Sequence, residues 1–140
     1  MYRVTLADVE ALAVELARAT MQWGEPIPDF NTRYPGILES CLAAAFQTYA
    51  KRELYPGLID KAAMIFYQMI KNHPFINGNE RIAVTTLLVF LYMNGGWLRV
   101  TNDELYRFAV WVAESAPVAR AGVVVATRDF LKKNTVAVKV

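Results

Sequence analysis

Cysteine is nearly absent: Cys41 is the only one in 140 residues. An internal disulfide framework and a CxxC metal site are therefore excluded, and a reducing, cytosolic compartment fits. Charge of one sign is also scarce, since 15 Lys and Arg face 13 Asp and Glu for a net +2. That balance is too small to announce a nucleic-acid binder. No apolar run reaches the roughly 20 residues that cross a bilayer. The most apolar stretch, Ile82 to Met93, carries Thr85 and Thr86 and adjoins Glu80 and Arg81. The amino terminus, Met1-Tyr-Arg-Val-Thr-Leu-Ala-Asp, turns acidic where a signal peptide turns apolar. A soluble cytoplasmic protein without membrane association is expected. Repeats, low-complexity tracts and linkers are missing too, so residues 1–140 read as a single domain. What the chain does have is apolar residues, 55 % against 20 % charged. That excludes intrinsic disorder and implies a large core.

The apolar spacing predicts an all-α fold. Thr5 and Asp8 form a capping box ahead of Leu6, Val9, Leu12, Ala13 and Leu16 at helical intervals. Gly24, Pro26 and Pro28 stop that helix near Trp23, and Gly24 to Pro35 reads as a surface loop. A helix after Pro35-Gly36 buries Leu38, Cys41, Leu42 and Ala45. From Tyr49 to Gly57 periodicity disappears, as expected of an irregular connection. Another helix spans 58–72, its stripe formed by Ile59, Ala62, Ala63, Phe66, Met69 and Ile70, and Pro74 ends it. The helix from Asn79 or Glu80 to Asn94 is apolar on nearly every face and should be the central buried one. Thr101 with Glu104 caps a helix that Pro117 closes. In the tail, Val123-Val-Val-Ala suits a strand by propensity, while 119–133 also suits a helix. Residues 118–140 carry Arg120, Arg128, Lys132, Lys133 and Lys139 against Asp129 alone, which reads as a solvated basic face.

Chemistry concentrates in His73-Pro74-Phe75-Ile76-Asn77-Gly78-Asn79-Glu80-Arg81. This is a loop feeding a helix start, where free backbone N–H groups and the positive dipole end attract anions. Gly78 permits close approach to a phosphate, Asn79 adds a side-chain amide, and Arg81 matches phosphate oxygens bidentately. His73, the only histidine, precedes that cradle. An imidazole there suits a general base acting on a hydroxyl, and equally suits a cap on the preceding helix. Phe75 should turn inward and anchor the loop.

The segment resembles the signature of the Fic/Doc family, His-Pro-Phe-x-Asp/Glu-Gly-Asn-Gly/Lys-Arg, with His73, Pro74, Phe75, Gly78, Asn79 and Arg81 matching. The wider chain resembles the compact Doc (death-on-curing) branch at Pro35-Gly-Ile-Leu-Glu-Ser, Leu54-Tyr-Pro-Gly-Leu, Lys61-Ala-Ala and Phe90-Leu-Tyr-Met-Asn-Gly. The likeness runs from about Thr5 to Pro117 and leaves the basic tail outside it. It implies a Fic-like helical bundle around the motif loop and the buried helix after it. It also implies a toxin of a toxin–antitoxin pair. Such a toxin transfers a phosphoryl or AMP group from ATP, or another nucleoside triphosphate, to a protein hydroxyl. In the Doc branch the target is a translation factor. By matching positions, His73 is the general base and residues 77–81 hold the phosphates. The connection holding Tyr49, Leu54 and Tyr55 falls where the family has a flap that aligns the target.

Two positions depart from that signature. Asn77 stands where the family has the acid that binds Mg²⁺, and Glu80 where it has Gly or Lys. Magnesium favours one or two carboxylates beside phosphate oxygens, so either Glu80 has taken over the metal with help from Asn77, or Glu80 only complements the helix dipole. The second case implies a catalytically impaired binding protein that keeps the fold. The inhibitory Ser/Thr-x-x-x-Glu-Gly/Asn helix of many Fic proteins is not found. Restraint is therefore expected from a separate antitoxin, with Trp23, Trp97 and Trp111 as candidate apolar contacts. Binding of nucleic acid through the tail is the weakest expectation.

Overall fold

The computed structural model describes residues 1–20 and 26–139. Its first rod begins as expected: Thr5 Oγ1 accepts from the Asp8 N–H at 3.2 Å while the Asp8 carboxylate accepts from the Thr5 N–H at 2.9 Å. The rod runs through α1 (Leu6–Asp8), a π-helical segment (Val9–Val14) and α2 (Glu15–Thr20). Its buried face, Val9, Ala13, Val14 and Ala17, is pinned where Thr85 Oγ1 donates to the Ala13 carbonyl at 2.8 Å. The helix end expected near Trp23 lies outside the described residues.

Helices α3 (Ile37–Ala44), α4 (Leu58–Asn72), α5 (Asn79–Met93), α6 (Asn102–Glu114) and α7 (Arg120–Asn134) complete the all-α architecture. The stretch expected to be central is central: α5 buries every side chain from Arg81 to Leu88, then Phe90 and Leu91. An apolar surface that goes all the way round a helix has to be covered on all sides. Helix α4, α6 and the rod cover α5, while α3 and α7 pack on the outer side of α4. The buried apolar side chains form one continuous cluster. Thr101 caps α6, its hydroxyl accepting from the Glu104 N–H at 3.1 Å. No single helix among the described residues is long and apolar enough to cross a membrane.

Several segments depart from the sequence reading or settle an alternative it left open. The connection expected to be irregular contains a hairpin, β1 (Thr48–Tyr49) against β2 (Arg52–Glu53). All four strand residues are exposed, so no alternation of apolar and polar residues could announce them. The tail is helical through 120–134, and Val123, Thr127 and Leu131 bury at intervals of four. Burial on one helical face overrides the β preference of its valines. Beyond it, β4 (Thr135–Ala137) pairs antiparallel with β3 (Gly96–Leu98), a ribbon that leaves Trp97 exposed and Leu98 buried. Trp111 is also exposed.

Part of the stretch read as a surface loop is anchored instead. Phe30 is buried in a 3₁₀ turn, Phe30–Thr32, with its ring 6.1 Å from that of Phe75. The Tyr34 N–H donates to the Pro74 carbonyl at 3.0 Å. These contacts hold the loop beside the His73–Arg81 segment.

Candidate active site

His73 ends α4 in the left-handed region, at φ 50° and ψ 63°. The following Pro74 disfavours right-handed helical geometry in its predecessor, and the chain turns abruptly there. A non-glycine residue in that region costs about 1–2 kcal/mol. The turn leaves the His73 side chain exposed at the end of a buried helix. Two residues earlier, Lys71 Nζ donates to the carbonyls of Ser115 at 2.6 Å and Ala113 at 3.2 Å. It thereby closes the C-terminus of α6 and ties that helix to the one that ends in His73.

Phe75 turns inward, at 1 % exposure. Its N–H donates to Asn79 Oδ1 at 2.9 Å, and Asn79 Nδ2 donates back to its carbonyl at 2.9 Å. Asn79 is itself buried. The side-chain amide expected to face a phosphate is thus engaged in shaping the loop. Gly78 caps α5 at φ 72°, and a Cβ there would lie 2.9 Å from Ile27 Cδ1. Both the positive φ and the close approach of the 26–28 segment favour glycine. The helix starts immediately, with Ile82 N–H donating to the Gly78 carbonyl at 3.0 Å. The N–H groups ahead of it have no acceptor within the helix.

A cavity of about 360 Å³ is lined by His73, Ile76, Asn77, Gly78, Asn79, Glu80, Arg81 and Tyr106. It brings together every residue read as a base or phosphate ligand. It adds Tyr106 of α6, which sequence reasoning missed. The stripe of Leu105, Ala109 and Val112 shows which side of α6 is buried. Nothing in that stripe shows that the neighbouring face meets the motif loop. Arg81 is buried to 5 % exposure and Glu80 is half-buried.

The cavity suits a divalent cation in a limited way. Asn77 Oδ1 is buried and has no hydrogen-bond partner, and Asn77 and Glu80 line the same cavity. One carboxylate and one neutral oxygen match what Mg²⁺ takes when phosphates and waters supply the remaining ligands. A protein-only cage is not available: no group of three His, Cys, Asp or Glu that could hold a metal occurs among the described residues.

Tyr49, Leu54 and Tyr55 do not line this cavity. Leu54 and Tyr55 line another, of about 300 Å³, with Pro56, Asp60, Ala63, Val124, Val125 and Arg128. That second cavity opens beside the first turns of α4, whereas His73 closes the last. Cys41 is buried, and burial pushes its thiol up to about 11 against an opposing hydrogen bond from Asn72. A neutral thiol in the core has no nucleophilic role.

A model of the Fic/DOC family matches residues 3–91. Among curated proteins, Toxin Doc of Mycolicibacterium smegmatis is 33 % identical over 75 residues, covering 54 % of this chain and 58 % of that protein. The alignment therefore spans little more than half the relative's length. Tyr106, α7 and the β3–β4 ribbon lie beyond the family-matched residues.

Proposed function

The chain belongs to the Fic/DOC family, and on that premise we propose that it is a Doc-like toxin. It transfers a phosphoryl or AMP group from ATP, or another nucleoside triphosphate, to a hydroxyl of a target protein. One observation carries this reading: His73 shares a single cavity with the start of α5, Arg81 and Gly78. His73 accepts the proton of the target hydroxyl as its oxygen forms a bond to phosphorus. The bridging P–O bond breaks on the opposite side, releasing ADP when the γ-phosphoryl moves and pyrophosphate when AMP moves. Backbone N–H groups of the first α5 turn and the Arg81 guanidinium face the negative charge that develops. Asn77 Oδ1 and Glu80 would hold Mg²⁺, which would neutralise phosphate charge. The hairpin with Tyr49, Leu54 and Tyr55 docks the target segment, a translation factor being the class that the family suggests. A separate antitoxin restrains the toxin in the cytoplasm.

ATP labelled at the γ or the α phosphate, incubated with the protein in a bacterial lysate, tests the reading. A protein band that retains γ-label but not α-label shows phosphoryl transfer; retained α-label shows AMP transfer. Either signal disappears in His73→Ala.

A second reading follows from Glu80. A carboxylate facing a phosphate repels it by about 1 kcal/mol at 4 Å in water, and by more in a dry site. On this reading the chain is a catalytically impaired binding protein. It then gives no label from any nucleotide, with wild type and His73→Ala alike.

A further inference from the structure

Lys61 is buried to 1 % exposure in the first turn of α4. A cation is disfavoured at a helix N-terminus, and burying an ammonium group costs several kcal/mol before its partners are counted. An apolar side chain would fill this position at lower cost, so what the charge contacts matters. Lys61 Nζ donates to the Tyr55 carbonyl and pairs with Glu53 Oε1 at 3.0 Å. It also lies 5.5 Å from the centre of the Phe46 ring. These three residues are the second strand of the hairpin, its exit and its entry.

The hairpin's flanks are anchored, Phe46 meeting Phe90 edge-on with ring centres 6.2 Å apart and Tyr55 packing against the core, but the strands and turn between them are not. Every residue from Gln47 to Leu54 is exposed, so the element contributes no side chain to the core. Its turn places Ala50 at φ 51° and Lys51 at φ 66°, a two-residue geometry that favours Asn and Gly. A strained, solvated hairpin of two-residue strands does not persist unsupported.

We propose that Lys61 is the positioning residue of the 48–53 hairpin, locking it onto the helix that ends in His73. Lys61 and His73 are twelve residues apart on one rigid helix, about 18 Å at 1.5 Å per residue. The lock sets where a bound target segment lies relative to the imidazole. Its docking role rests on the transferase reading, whereas the lock itself does not.

The test uses the full chain under native conditions, with trypsin cleavage after Lys51 and Arg52 followed by mass spectrometry. Lys61→Met accelerates cleavage about tenfold, and Lys61→Arg restores most of the protection. Glu53→Gln, on the surface, removes the ion pair but keeps the Lys61 hydrogen bond to the Tyr55 carbonyl; it gives a smaller acceleration and decides the matter should Lys61→Met not fold. With labelled ATP, Lys61→Met lowers labelling about tenfold in dilute lysate and recovers in concentrated lysate. Its affinity for a fluorescent ATP analogue stays that of wild type. Wild-type cleavage rates in both variants overturn the lock. Faster cleavage with unchanged labelling in dilute lysate overturns the positioning role. A wild-type protein that labels nothing overturns the transferase reading alone, because cleavage still decides the lock.

Discussion

Asn79 and Phe75 hold each other through a closed pair of hydrogen bonds, the carboxamide of one meeting both the N–H and the carbonyl of the other at 2.9 Å. Both residues are buried, so neither backbone group has water as an alternative. The pair fixes the curvature of the loop between His73 and Gly78. Asn79→Ala leaves two buried backbone groups unpaired and is expected to cost about 2–4 kcal/mol. Urea unfolding should show a lower midpoint with an unchanged slope.

Tyr106 lines the cavity from outside the family-matched residues. A nucleotide with its phosphates at Gly78 would set its base against this ring, and stacking on an aromatic ring is worth about 1–3 kcal/mol. Tyr106→Ala should weaken binding of a fluorescent ATP analogue about tenfold. Tyr106→Phe, which keeps the ring, should bind within about twofold of wild type. Equal affinity in all three proteins would place the base elsewhere.

Glu80 and Asn77 share the cavity as its carboxylate and its unpartnered carbonyl oxygen. Glu80→Gln removes the negative charge and keeps the size. The half-saturating Mn²⁺ concentration, measured by electron paramagnetic resonance with a non-hydrolysable ATP analogue present, should rise about tenfold. Unchanged metal dependence would leave Glu80 as a dipole partner only.

Relieving the turn should steady the hairpin. Replacing Ala50 by Asn and Lys51 by Gly puts the preferred residues at two positive φ angles. The gain is about 1 kcal/mol once the extra entropy of glycine is discounted. Hydrogen exchange of the Leu54 amide, which donates to the Gln47 carbonyl at 3.0 Å, should slow about fivefold.

Cys41 carries a prediction in alkaline solution. Burial raises its thiol from the ordinary 9.0 to about 11. Between those values the unfolded chain loses the proton and the folded chain keeps it. Stability is therefore fully present below about pH 9 and falls as pH rises toward 11, by roughly 2–3 kcal/mol. Chemical denaturation across this range should show the loss in wild type, and Cys41→Ala should lack it.

The motif was legible because its chemistry is local. His73, Gly78 and Arg81 lie within one turn-and-helix unit, and the nearby Pro74 and Phe75 announce its shape. Helix α4 was legible to its ends, since its apolar stripe and Pro74 act through neighbours in sequence. The hairpin was not legible, because strands without a buried face carry no period-two signal. The tail was ambiguous, because its valines suit either structure until α4 supplies a surface for α7 to pack against.

Residue order alone determined the helical class, the central helix and the loop that starts it, because spacing, capping and proline geometry act over a few residues. Only the tertiary structure decided that Asn79 turns to Phe75, that α6 brings Tyr106 to the cavity, and that Lys61 reaches Glu53. Each of those depends on which surfaces meet when helices pack, and the spacing of residues along one helix carries no record of the neighbour it will meet.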